Sequence, residues 1–198
     1  MCEPPKLRLR VGRVTVHEED DDFANDIVYC NVATESAGGS ELRITPKTPN
    51  LDEGESHTFS GSEATFWGLE APRDPGGDLT IRYDCFEEDA PNGYGQFVQK
   101  AVEVLKQEGG KYVRWKDGYG WIGTAVDLVT KYLPAILALD SDDHLFIAQQ
   151  TIPRAEQLAL TNGATWNVRK KGTHIGSNWD WSLKIEAWGC VENGKLTP

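Results

Sequence analysis

Polar and apolar positions alternate at the start of the chain. Leu7, Leu9 and Val11 alternate with Arg8 and Arg10, the phase slips at Gly12, and it resumes with Val14 and Val16. A slip at glycine inside an alternating run predicts a strand carrying a bulge. After the acidic stretch HEEDDDFAND, the run Ile27 to Ala33 (IVYCNVA) is rich in β-branched and aromatic residues and reads as the next strand. Further strands are expected over 41–45, 57–59, 64–67 and 79–86, set apart by the turn-forming stretches TPNLDEGES and EAPRDPGGD. In the segment 179–188, Trp179, Trp181, Leu183, Ile185 and Ala187 fall on one face while Asp180, Ser182, Lys184 and Glu186 fall on the other. That is the pattern of a half-buried strand, and 145–152 and 166–169 read as two more.

The period changes in the middle. GYGQFVQKAVEVLKQEGG places Phe97, Val98, Ala101, Val102 and Leu105 at helical spacing and stops at Gly-Gly, so a helix is predicted there. The segment Trp121 to Leu139 is apolar on more than one side and is expected as a second helix, broken before Pro134. Many short strands without strand–helix alternation predict a mainly β protein. The expected architecture is a single antiparallel β-sandwich domain over 1–198 with a two-helix insertion at 94–139.

The chain has 198 residues, with 20 Lys+Arg against 31 Asp+Glu and a net charge of −11. This charge disfavours nucleic acid as a general partner. There is no apolar run long enough for a transmembrane helix and no apolar signal-peptide core, so a cytoplasmic protein or a secreted one trimmed to its mature part is expected. Of the four cysteines, Cys30, Cys85 and Cys190 sit in or just after strand-like runs, where buried thiols are expected, with one disulfide as the alternative. Motifs for zinc proteases, serine hydrolases, phosphate loops and dinucleotide sites are absent, which predicts a binding module rather than an enzyme.

Three acidic clusters are the candidate chemistry: Glu18 to Asp22 with Asp26; Asp84 with Glu87, Glu88 and Asp89; and Asp140, Asp142 and Asp143. Each lies beside a strand-like run. Carboxylates on neighbouring loops repel one another unless a cation sits between them, and calcium suits such a place because it takes six to eight oxygens with tolerant geometry. Acidic loops also occur simply as solvated turns that protect sheet edges.

In this loop chemistry the sequence resembles the C2 domains, eight-stranded β-sandwiches that bind calcium and phospholipid. Asp20 and Asp26 match the two aspartates of that family's first loop, six apart and followed by a Tyr-containing strand, here at Tyr29. Glu87 and Asp89 match the later acidic pair, and Asp143 matches the last acid. One residue more than the family's spacing before Tyr29 predicts that the tyrosine turns to the other sheet face. The resemblance implies a calcium site of Asp20, Asp26, Glu87, Asp89 and Asp143, with phospholipid headgroups or a protein as partner and Phe23 as an apolar loop tip. Seven tryptophans raise a second reading, a carbohydrate-binding sandwich, for which Trp188, opposite the apolar face of its strand, is the candidate. A third is the targeting component of a secreted toxin or effector.

Overall fold

The computed structural model describes residues 6–18, 27–88, 93–106, 111–115, 118–123, 143–160, 162–174 and 177–189. Strand β1 (Leu7–Glu18) runs through the Gly12 slip as one element. The register shift falls between Val11 and Arg13, where the alternation broke. A Cβ at Gly12 would stand 2.5 Å from the Glu186 carboxyl carbon, so a side chain there would displace that carboxylate. The remaining strands are β2 (Val28–Ser36), β3 (Gly39–Ile44), β4 (Ser56–Thr58), β5 (Thr65–Trp67), β6 (Leu79–Glu87), β7 (Lys111–Trp115), β8 (Gly118–Gly123), β9 (Asp143–Ile152), β10 (Ala164–His174) and β11 (Ser177–Gly189). Helix α1 spans Gly93–Lys106 and the short helix α2 spans Arg154–Ala159.

These strands form two antiparallel sheets, a β-sandwich. One sheet has the order β10-β11-β1-β4, with β5 also on β1; the other runs β7-β8-β3-β2-β6-β9. The first is called here the N/C sheet, because it joins β1 to β11. Between the sheets lies a core that includes Leu9, Val11, Val14 and Val16 of β1, Cys30 and Val32 of β2, Ile81 and Tyr83 of β6, and Trp181, Leu183 and Ile185 of β11. Phe66 and Trp67 of β5 fill it from the side. Burying one such large side chain is worth ~1.5–3 kcal/mol, so the alternating apolar rows are sufficient reason for the strands to pair this way.

The opposite face of β2 is buried too. Tyr29 stacks on Phe86 at 5.3 Å between ring centroids and meets Tyr94 at 5.0 Å and Phe97 at 5.6 Å, so α1 packs across the outside of β2 and β6. Phe97, Val98 and Ala101, at helical spacing, are the buried residues of that contact. This is why IVYCNVA shows no alternation, and it puts Tyr29 on the side away from the sandwich core.

Two expectations need correction. Trp121 to Gly123 are strand, not helix: β8 pairs with β3 through Leu42↔Trp121 and Ile44↔Tyr119, and with β7 on its other side. Residues 124–139 of the expected second helix lie outside the described residues. The described part of the insertion is therefore a helix and a β-hairpin that widens one sheet. An apolar run rich in Trp, Ile and Val serves either period, and the free edge of β3 decided the outcome. Cys30 and Cys85 are not thiols; they form a disulfide between register partners with Cα atoms 4.2 Å apart. Cys2 and Cys190 lie outside the described residues. Helix α2 was not anticipated; it follows Pro153, and its buried Gln157 donates to the carbonyls of Gly77 and Ile152, tying the end of β9 to the preceding turn.

Candidate metal centre

Strand pairing sets side by side the ends of three strands that border acidic segments of the sequence. β1 ends at Glu18 and β2 begins at Val28, and the first acidic stretch between them lies outside the described residues. Val28 is the register partner of Glu87 at the end of β6, and Glu87 is the partner of Asp143 at the start of β9. Segments more than fifty positions apart in sequence are thus adjacent in one row of the sheet. The pairing is closed by a hydrogen bond from the Glu88 amide to the Ile27 carbonyl at 2.9 Å and one from the Thr48 amide to the Val28 carbonyl at 2.9 Å.

The structure separates the acids of the second cluster by role. Asp84 is fully buried and held by Arg82, whose Nε and Nη2 each donate to it at 3.1 Å. Glu88 serves α1: its carboxylate accepts the Tyr94 amide at 3.2 Å and pairs with Lys47 Nζ at 2.5 Å. The carboxylate lies at the positive end of the helix dipole, where a negative charge is stabilising. Asp84 and Glu88 are thus committed to structure. Glu87, 6% exposed, stays at the strand end beside the Asp143 position.

Of the other expected ligands, Asp20, Asp26 and Asp89 lie outside the described residues, as does Phe23; Asp143 is placed by its backbone at the first position of β9. Among the described residues no group of three or more His, Cys, Asp and Glu side chains is gathered closely enough to hold a metal. His17, the nearest described imidazole in sequence, is engaged at Nε2 with Ser182 Oγ at 2.8 Å.

Trp188 lies elsewhere. It is half-buried on the outer face of the N/C sheet, opposite Arg8 in register, and the Arg10 guanidinium covers its ring at 4.3 Å. Its surroundings are therefore cationic, a feature that could have been read from the alternation of Arg8, Arg10 and Arg13 once β1 was paired with β11. A further cavity of about 330 Å3 opens between β9, α2 and β10, lined by Gln150, Glu156, Leu160 and Trp166 among others. Gln150 donates to the Tyr83 hydroxyl at 3.1 Å beneath it, and burial pushes that phenol well above its ordinary pKa.

Glu41 is buried and paired with Arg73 at 3.0 Å, while the Arg73 guanidinium also covers Trp67 at 4.7 Å. Burial raises the Glu41 pKa and the hydrogen bond from Arg73 opposes that rise. The pair ties β3 to the connection after β5. Comparison with known proteins finds no matching family model, curated protein or solved structure.

Proposed function

We propose that this protein is a non-enzymatic calcium-binding module similar in its loop chemistry to C2 domains, and that the ion joins it to an anionic lipid surface or a protein partner. The observation that supports this reading is the register row Val28, Glu87, Asp143, which sets side by side the strand ends bordering the three acidic segments. Asp20, Asp26, Glu87, Asp89 and Asp143 donate the oxygens. The ion relieves their mutual repulsion and leaves open coordination positions for the oxygens of the partner. The Cys30–Cys85 disulfide favours an oxidising compartment, where calcium is abundant and weak sites fill. Among the described residues no helix is long and apolar enough to cross a membrane, so membrane contact in this reading is peripheral.

The test is thermal unfolding with calcium and with chelator. At 100 times the dissociation constant, an ion that binds only the folded state adds about 2.7 kcal/mol. For a chain of this size that raises Tm by roughly 5–10 °C. The Asp26→Asn, Asp89→Asn double variant should lose the difference, and co-sedimentation with phosphatidylserine vesicles should require calcium. Identical melting curves at millimolar calcium and in chelator would remove the proposal.

A further inference from the structure

The outer face of the N/C sheet carries charge of the opposite sign to the chain. Register places Arg8 beside Trp188, Arg10 beside Glu186, Arg13 beside Lys184, and Glu18 beside Asp180. β10 extends these rows with Asn167 next to Lys184, Arg169 next to Ser182 and Lys171 next to Asp180. Six cations thus face three carboxylates on the outer face of one sheet, in a chain whose net charge is −11. The rest of the molecule is correspondingly more acidic. Arg13, Arg169 and Lys171 are exposed, and among the described residues no carboxylate bridges Arg13 or Lys171.

We propose that this face is a docking surface for a linear acidic polysaccharide, a polyuronate whose rings carry carboxylates. The chemistry of the contact is already present in the face itself. Arg169 grips Asp180 with Nε and Nη2 at 2.8 and 2.7 Å, and Arg10 holds Glu186 with Nε and Nη2 at 2.9 and 2.6 Å. Forked guanidinium–carboxylate pairs of this kind are the strong, directional form of the interaction. Same-face residues repeat at about 7 Å along a strand and about 5 Å between strands, which sets Arg8, Arg10 and Arg13 of β1 in one row and Arg169 and Lys171 of β10 in another. Trp188, half-buried at the end of the rows, carries the Arg10 guanidinium over its ring and so holds that cation in place on the face rather than stacking on a sugar.

Charge complementarity also selects the shape of the partner. Screening limits each contact to about 10 Å, and a bilayer or a nucleic-acid duplex is broad enough to come within that distance of the acidic remainder of the molecule as well as the basic face. A single thin polymer lying along the strands touches only the basic face. The site lies on the outer face of the N/C sheet and needs no cation.

The experiment is binding of the intact protein to polygalacturonate, followed by calorimetry at about 50 mM and 200 mM salt with chelator present. Saturable binding that weakens with salt is expected, with none to neutral dextran. Arg13→Glu with Lys171→Glu should weaken it more than tenfold, and Trp188→Ala should weaken it without changing its salt dependence. Urea midpoints of the variants verify folding, and the milder Arg13→Gln, Lys171→Gln pair replaces any that unfolds. The proposal is overturned by no binding at low salt, by unchanged affinity in the folded charge variants, or by equal or tighter binding to duplex DNA or phosphatidylserine vesicles. A requirement for calcium would overturn it as well, since the polymer would then be held through the ion and not by this face; failure here leaves the calcium melting test untouched.

Discussion

The Cys30–Cys85 disulfide gives the most direct quantitative test of the sandwich. It joins register partners of β2 and β6 inside the core and closes a loop with a sequence separation of 55. In the chain-entropy treatment, a cross-link over that separation removes enough freedom from the unfolded chain to stabilise the fold by about 4 kcal/mol at 25 °C. With a urea m-value of ~2 kcal/mol per molar, reduction should lower the denaturation midpoint by about 2 M. The Cys30→Ala, Cys85→Ala variant should sit near the reduced protein or slightly below it, because both sulfurs are fully buried and their loss leaves small voids. Urea titration of the oxidised protein, the reduced protein and the variant, each followed by tryptophan fluorescence, supplies the three midpoints. Peptide mapping without reduction should recover Cys30 and Cys85 in one linked fragment. Coincident midpoints for oxidised and reduced protein, or free thiols at both positions, would refute the disulfide.

Three further outcomes follow from local contacts. Hydrogen bonds from Arg154 and Arg169 hold the carboxyls of Asp74 and Asp180 below their ordinary range. A depressed folded-state pKa contributes stability above the unfolded value of about 3.9 and loses it as pH falls through the folded value. Tm should therefore drop on acidification below about pH 4, with a shallower drop in Arg154→Met, and superposable profiles would count against the Asp74 pair. Glu88→Gln removes the charge at the start of α1 and should cost about 1 kcal/mol in urea melts, with reduced helical circular dichroism; an unaltered midpoint would mean that the cap is idle. Gly68 has φ +68°, and a Cβ there would lie 2.7 Å from the Leu7 carbonyl, so Gly68→Ala should destabilise by about 2–3 kcal/mol. A loss below about 0.5 kcal/mol would show that the turn after β5 is not held in this form.

Local patterning was sufficient for much of the fold. Alternation in β1 and β11 named which side chains enter the core, and the glycine that broke the alternation is where the register shifts. Helical spacing in 97–105 identified α1, because the period of a segment is a property of its own residues. Trp121 to Gly123 could not be settled that way. A short apolar run satisfies either period, and the unfilled edge of β3 supplied the hydrogen bonds that made it a strand. The same holds for β2, whose continuous apolar pattern has its cause in α1 lying across the second face.

By itself, then, the sequence determined the alternating rows, the helix period and the three acidic clusters, since each depends on neighbours in the chain. Only tertiary structure decided what those rows and clusters meet. Pairing across β2, β6 and β9 set Glu87 beside Asp143 and joined Cys30 to Cys85. Pairing across β1, β11 and β10 assembled arginines and lysines from both ends of an acidic chain into one basic face. Both results are consequences of register: a shift of one residue in either sheet would turn every one of those side chains to the opposite face.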